Sequence, residues 1–326
     1  MWSNYHARLH QVLKDRSILA KNSRVLVAVS GGQDSLCLAR LILDLQSKWN
    51  WQVAIAHCHH NWALDEGLPE HLEQICRDWG VKLYLETATE SIPEKEASAR
   101  KWRYQVLSKI AVNHSFNSVV TGHTKSDRTE TFLYNLIRGA GSEGLSSLNW
   151  YRPLTHQVQL VRPLLNFTRQ DTLRFCQINH LPIWYDPYNN NKKFSRNRIR
   201  LDLIPYLQQE FNSQVENHLA QTAEILRADS AYLNQQAEEL YFKIALKPNT
   251  IDRQKLKDSP LSLQRRVIKK FLGQNLTKMP NFEQIEQIVA LIDAPSKTKS
   301  SSLGRSRIDK ESLVVAQVHG NVIIIT

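Results

Sequence analysis

RVLVAVSGGQDS, residues 24–35, is the stretch on which the fold turns. After one cation its residues are apolar or β-branched as far as Val29, and two glycines after Ser30 stop the run, the pattern of a strand buried on both faces. From Asp34 to Trp49 the chain sets Leu38, Leu41, Ile42 and Leu45 at helical spacing, so strand, tight glycine loop and helix follow one another directly. Working outward, the alternation continues. QVAIAHC (52–58) reads as a second strand, 69–80 as a helix ended by Gly80, and 81–87 as a third strand. A helix over 93–112, a strand over 118–121 and a helix over 126–138 extend the series. This α/β alternation predicts a parallel sheet with helices on both faces. Arg162–Leu165 and Pro182–Asp186 read as later, looser parts of the same domain.

The loop carries chemistry of its own. Gly31 and Gly32 permit backbone conformations and a close ligand approach that side chains forbid. The loop opens a helix, so free N–H groups and the positive end of the dipole face whatever sits there. Ser30 and Ser35 add hydroxyls, with Gln33 beside them. Asp34 is the informative residue, because a carboxylate facing phosphates repels them unless Mg²⁺ lies between. A plain strand–turn–helix connection capped by an aspartate is the simpler alternative. No lysine follows in G-x-x-x-x-G-K-[ST] spacing, so this is not the γ-phosphate grip of kinases and GTPases. The candidate ATP-binding set is therefore Ser30, Gly31, Gly32, Gln33, Asp34 and Ser35, with Asp34 reaching Mg²⁺ through the phosphates.

Further constellations allow two readings each. In TGHTKSDRTET (121–131), Ser126, Asp127 and Glu130 fit helix capping, while His123 and Asp127 fall at the carboxyl ends of strands, where open sheets bind ligands. In EASARKWRY (96–104), Glu96, Arg100, Arg103 and Tyr104 share a helix face. That face is a solvated ion-pair stripe if the helix stands alone, and a triphosphate or RNA ligand set if it lies beside the loop. DPYNNNKKFSRNRIR (186–200) is either a solvated linker or an RNA-phosphate contact through Arg196, Arg198 and Arg200. Gly139, Gly141 and Gly144 spell G-x-G-x-x-G but follow a helical run rather than a strand, so a helix C-cap and a flexible active-site loop are expected, not a dinucleotide site. His57–Cys58–His59–His60 sits on a strand end, where at most two side chains converge, so no metal site is expected and its role is left open.

The whole chain sets the limits. Its 326 residues fit two domains, with a boundary at 212/213 between a catalytic domain and a mostly helical one. Within the latter, PSKTKSSSLGRSR (295–307) reads as a mobile loop and 313–326 as a hairpin turning at His319–Gly320–Asn321. No apolar run approaches the ~18 residues of a membrane span, and the amino terminus lacks a signal-peptide core, so a cytoplasm-like compartment is the expectation. Four scattered cysteines without C-x-x-C spacing read as buried, reduced thiols. The net charge of +11 is weighted towards the carboxyl-terminal part, where residues 192–326 carry 21 Lys/Arg against 14 Asp/Glu. An anionic partner follows, nucleic acid before a membrane surface.

The loop resembles the signature of the PP-loop ATP pyrophosphatases. Five blocks in order, VLVAVSGGQDSLCL, AIAHCHHNW, EASARKWRYQVL, GHTKSDRTETFLYNLIRGAGSEGL and WYDPYNNNKKFSRNRIRLDLIPYL, are similar to one branch, the tRNA(Ile)-lysidine synthetases, over about residues 24–207. LSLQRRVIKKFL (261–272) has a looser likeness to the family's tRNA-binding helices. The resemblance implies an adenine nucleotide alpha hydrolase-like sheet and a carbon–nitrogen ligase. It also implies ATP and Mg²⁺ as cofactors, a CAU-anticodon tRNA(Ile) and free L-lysine as partners, and release of AMP and PPi. It implies that Asp34, Asp127 and Arg103 act in catalysis and that His123 joins the loop on ATP. Arg100, Arg196, Arg198 and Arg200 would then meet tRNA. The compartment implied is bacterial cytoplasm, or plastid stroma if organelle-encoded. Two positions depart from the family pattern: His59, where Asp or Asn is common, and Ser126, where an acidic pair usually begins. The carboxyl-terminal module of longer members is not expected. A PP-loop tRNA thiolase and a non-catalytic nucleotide- and RNA-binding module are the rivals. An amidotransferase-type synthetase would need a glutaminase domain. Lysine-binding residues and oligomeric state are left open, a homodimer included.

Overall fold

A computed structural model gives the architecture and describes residues 2–62, 65–89, 96–146, 148–185 and 191–326. Asp186–Asn190, part of the basic stretch, and the Glu96 side chain lie outside the described residues. The apolar run at the loop forms β1 (Arg24–Ala28), flanked by β2 (Gln52–His59) and β4 (Ser118–Thr121), both parallel to it. β3 (Lys82–Thr87) pairs parallel to β2, and β6 (Gln159–Val161) parallel to β4. The six-stranded order β3-β2-β1-β4-β6-β5 ends on β5 (Tyr151–Pro153), an antiparallel edge strand.

Both faces of this sheet are buried, as the unbroken apolar strands require. Val25 and Val27 pack into one core with α1 (Asn4–Arg16), α2 (Gln33–Trp49), α3 (Leu68–Asp78) and α7 (Arg169–Ile178). Leu26, pointing the other way, packs with Leu107, Ile110 and Ala111 of α4 (Glu96–Asn113). α5 (Lys125–Ile137) follows β4, and α6 (Ser142–Leu145) follows α5. Three elements were not legible as such. The β5–β6 hairpin has only three residues per strand, too few to show a period. α7 lies between the two looser stretches, where no element was read, although Thr168 and Asp171 form a capping box at its start. The basic stretch is not a linker: it enters α8 (Ser195–Arg198), a π-helical turn (Ile199–Leu203) and α9 (Ile204–Glu210).

The chain divides into compact units at 226/227, inside the 30-residue helix α10 (Val215–Ile244). The second unit packs α11 (Arg253–Lys257), α12 (Leu261–Asn275) and α13 (Phe282–Leu291) with an antiparallel sheet of β7 (Ala245–Lys247), β8 (Thr250–Asp252), β9 (Ala316–His319) and β10 (Val322–Ile325). The expected hairpin is present, with Val322 opposite His319 and Gly320 at φ +56° in its turn. β7 and β8 went unread, again for their shortness. Residues 295–307 are not loose: Ser300 N–H donates to the Ala316 carbonyl (2.8 Å) and Leu303 N–H to that of Val314, with Leu303 fully buried. The edge strand β9 and the backbone just before it supply those partners, which composition could not reveal. Among the described residues no helix is long and apolar enough to cross a membrane.

Candidate active site

The loop after β1 is built around one obligatory glycine. Gly31 sits at φ +84°, and a Cβ there would lie 2.6 Å from Leu68 Cδ1 and 3.0 Å from Trp184 Cβ. Gly32, by contrast, caps α2 at φ −73°, and its Cβ would meet nothing nearer than Ser30 Oγ at 3.8 Å. Conformational freedom expected at both glycines is thus required at Gly31 alone. Ser35 is buried, and its hydroxyl donates to the Gly32 carbonyl (2.9 Å) and accepts the Ser30 amide (3.1 Å). It braces the loop from beneath. The Gln33 amide turns to α7, donating to the Arg169 carbonyl at 2.7 Å and to Thr172 Oγ1 at 3.1 Å.

Gly122, just after β4, holds the loop's other side. A Cβ there would stand 2.8 Å from the Asp34 carbonyl carbon and oxygen and 2.9 Å from Ser35 N. Gly122→Ala is expected to lever the first turn of α2 away, lowering stability by about 2 kcal/mol and weakening nucleotide binding. Denaturant unfolding with a nucleotide titration checks this; wild-type values in both would mean the backbones part easily.

A cavity of about 430 Å³ opens among Ala28–Ser30, the end of β2, Thr121–His123 and one face of α4. Ser30, Asp34 and Ser35 line it with His123 and Asp127, joined by Arg100, Arg103 and Tyr104. Phe194, Arg196 and Arg200 form another wall. Arg198 does not line it; it is exposed and its guanidinium donates to Ser195 Oγ at 3.3 Å. Distant segments of sequence therefore converge, four of them because α/β sheets place ligand sites at the carboxyl ends of their strands and the fifth through the basic stretch at Phe194–Arg200.

The charges are arranged tightly. Asp34 Oδ2 lies 3.3 Å from Arg169 Nη1, and its Oδ1 accepts the Thr172 hydroxyl. Burial pushes its carboxyl above the usual range; neighbouring Asp127 adds to that, while Arg169 and Thr172 oppose it. Asp127 satisfies both readings of its motif. Its Oδ2 accepts Thr124 N–H (2.7 Å) and Thr124 Oγ1–H (2.9 Å) in a capping box, yet the residue lines the cavity. Burial works against its charge, but the two Thr124 hydrogen bonds and Arg169 hold the carboxyl below the usual range. His123 is driven to about 3, by burial first and then by Arg162, Arg100 and Arg103, so it is a neutral imidazole.

Arg200 grips Glu130 with two bonds, Nε at 2.6 Å and Nη2 at 2.9 Å, and Glu130 is 2% exposed. Its guanidinium fork is thereby turned to a buried carboxylate within the wall. Arg196 lies 5.9 Å over the Tyr134 ring. Among the described residues no three His, Cys, Asp or Glu side chains converge as a metal cage. Mg²⁺ does not need one, since one or two carboxylates plus substrate phosphates are its usual holders. Asp34 and Asp127, mutually repelling oxygen donors beside a helix N-terminus, fit that pattern. All four cysteines are free and buried, and burial pushes Cys58, which lines the cavity, up to about 12. It is a thiol at neutral pH.

Known proteins now bear on this geometry. Residues 1–207 match the PP-loop domain family and residues 245–311 the TilS-like substrate binding domain. A tRNA(Ile)-lysidine synthase of Nostoc sp. is 48% identical, over 100% of this chain and 97% of that protein. The chain belongs to the tRNA(Ile)-lysidine synthase family. A second family member, from Synechocystis sp., is 46% identical over 93% of each chain. A chloroplastic member from Zygnema circumcarinatum is 34% identical over 86% of this chain and 78% of its own. Among solved structures, the U34-tRNA thiolase NcsA from Methanococcus maripaludis shares the fold, with a TM-score of 0.56 at 18% identity over 69% of this chain and 78% of that one.

Within this lysidine synthase-family chain, four site residues escaped the sequence reading. Glu130 follows Asp127 at i+3 and so faces the same way, a signal that was present but read as capping. Arg169 and Thr172 belong to the unrecognised α7, and Gly122 looked like a strand end. In the G-x-G-x-x-G run, Gly139, at φ +75°, closes α5, and Gly141 caps α6.

Proposed function

We propose that this chain ligates lysine to C2 of the wobble cytidine of a CAU-anticodon tRNA(Ile), through an adenylated cytidine. The observation that carries the reading is the convergence of the loop, His123, Asp127 and the arginines of α4 on one cavity. In the first step the cytosine O2 attacks the α-phosphorus of ATP and PPi leaves. In the second, the lysine amine attacks C2, and the former carbonyl oxygen departs with AMP. A pyrimidine carbonyl is a poor electrophile, and AMP is a far better leaving group than oxide.

The residues divide these tasks. The N-terminal amides of α2 face the phosphates. Arg100 and Arg103 neutralise charge growing on the departing pyrophosphate, and Arg103 orients it. Asp34 and Asp127 would hold Mg²⁺, which supplies electrostatic stabilisation of the triphosphate. His123, neutral and fixed against Thr121 at 2.9 Å, lies at the ATP side of the cavity. The inert Cys58 thiol argues against a persulfide route and so against the thiolase alternative. Arg196 and Arg198 begin the basic surface that meets tRNA phosphates. The compartment is cytoplasm or plastid stroma, and the assembly includes a homodimer among its options.

Omitting each substrate in turn tests the reaction. PPi release is expected only with tRNA and Mg-ATP together, and labelled lysine should enter tRNA only with all three present. Hydrolysis of ATP to ADP without tRNA, or sulfur incorporation, would sink it. The double change Arg196→Ala/Arg198→Ala should weaken tRNA binding and flatten its log–log salt dependence by roughly 2 units. An unchanged slope would reduce the segment to a wall of the cavity.

A further inference from the structure

The phosphate loop is held from outside as well as from beneath. The Trp184 N–H donates to the Gly31 carbonyl at 3.0 Å. Carbonyl and amide of one trans peptide point in opposite directions, so this bond turns the Gly32 N–H away from Trp184. Among the described residues that N–H has no acceptor. It is a free donor at the head of α2, and one backbone bond sets its direction.

A pair of glycines cannot hold its own peptide, because no side chain there resists rotation. The Trp184 side chain resists it from across the gap. Its Cβ lies 3.0 Å from the place a Gly31 Cβ would take, and its Cη2 lies 3.5 Å from the corresponding place at Gly67. Gly67 is the N-cap of α3, so the indole reaches from the loop to the start of that helix. The ring is 5.3 Å from that of His71, whose Nε2 lies 2.8 Å from the Pro182 carbonyl oxygen. Behind it, Leu181 N–H bonds the Cys176 carbonyl at the end of α7. The indole Nε1 is buried without a partner among the described residues. The ring therefore acts here by its shape and not through a hydrogen bond.

We propose that Trp184 is a positioning residue for the adenylation step: its ring, wedged between the loop and α3, keeps its own backbone against Gly31 and so keeps the Gly32 N–H presented to the triphosphate. The proposal rests on the reading that the loop grips ATP. A donor fixed in advance acts most strongly where charge grows, on the departing pyrophosphate in the transition state. Loss of the ring therefore falls on kcat more than on the KM for ATP.

Steady-state PPi release by the intact protein with tRNA, lysine and Mg-ATP tests this, beside a melting curve for each variant. Trp184→Ala is expected to lower kcat about 100-fold while the KM for ATP stays within about threefold of wild type. Trp184→Phe, which keeps a flat ring and drops the unmet N–H, should hold kcat within about threefold of wild type. A kcat that falls only in proportion to the folded fraction means plain packing and overturns the assignment. So does a Trp184→Phe that melts like wild type yet is as slow as Trp184→Ala. Should Trp184→Ala fail to fold, Trp184→Leu carries the same comparison. Amide spectra of ¹⁵N-glycine-labelled protein, with 11 glycines to resolve, read the peptide itself. Mg-ATP should move the Gly32 signal in wild type and move it less in the alanine or leucine variant; equal movement overturns the assignment. A wild type that releases no PPi and shows no Gly32 movement would overturn the ATP reading beneath it, a distinct result.

Discussion

Replacing Asp34 with alanine is expected to cut tRNA-dependent PPi release by about 10³-fold or more while leaving the melting temperature at or above wild type. Burial already disfavours its charge, and Asp127 disfavours it further, so the folded state gains nothing from an ionised Asp34. With its folded pKa above the unfolded value, this carboxyl lowers stability at neutral pH, and that penalty fades as pH falls. Arg169, left behind, is 30% exposed and can turn to water. A group that strains the fold yet faces a phosphate-binding helix end is retained for its chemistry. Asp34→Asn separates charge from shape: it too should lose PPi release. Activity surviving in either variant, measured beside a thermal melt, would remove Asp34 from the centre of the mechanism.

Arg200→Ala should give the largest loss of stability, about 3 kcal/mol, because it leaves Glu130 charged and unpaired in the wall of the cavity. For a unit of this size that is a fall of roughly 6–12 °C in melting temperature. The sign of the pH dependence follows from Glu130. Its carboxyl already lies above the usual range, through burial first, and losing the guanidinium raises it further. A raised folded pKa means the penalty is present at high pH and disappears as pH falls through that pKa. The deficit of Arg200→Ala should therefore shrink from pH 8 towards pH 5, and Glu130→Gln added to it should recover much of the loss at pH 8. Melting curves across that range decide; a deficit constant with pH would mean Arg200 stabilises by packing alone.

The first unit's sheet and helices were legible because their signals are local. A run such as RVLVAVS must be buried on both sides, and Leu38–Leu45 repeats with helical period, so element limits emerged within a few residues of those observed. The convergence of the loop, α4, His123 and Asp127 was legible too, through the rule that α/β sheets place ligands at one end. What failed was direction and partnership. Ser35 lines the cavity and also braces the loop, and the Gln33 amide fastens α7; neither contact is visible without tertiary neighbours. Arg200 read as one of a row of cations because nothing local announces Glu130, 70 residues earlier. The histidine run illustrates the converse. Strand alternation correctly limited how many rings could meet, but only the Val29 carbonyl reveals which nitrogen of His57 is bare.

One further consequence lies in β10. It is the last strand of the second unit in chain order yet an inner strand of the sheet, between β8 and β9. Ile323 and Ile325 complete that unit's apolar core. During synthesis the first unit's sheet is complete once Val161 has emerged, whereas the second has no closed sheet until Ile325 follows. A ribosome that stalls within the preceding residues would therefore leave β8 with an open edge and an uncovered core, the form proteases and chaperones recognise. The topology thus makes completion of the second unit's core depend on translation having reached this strand.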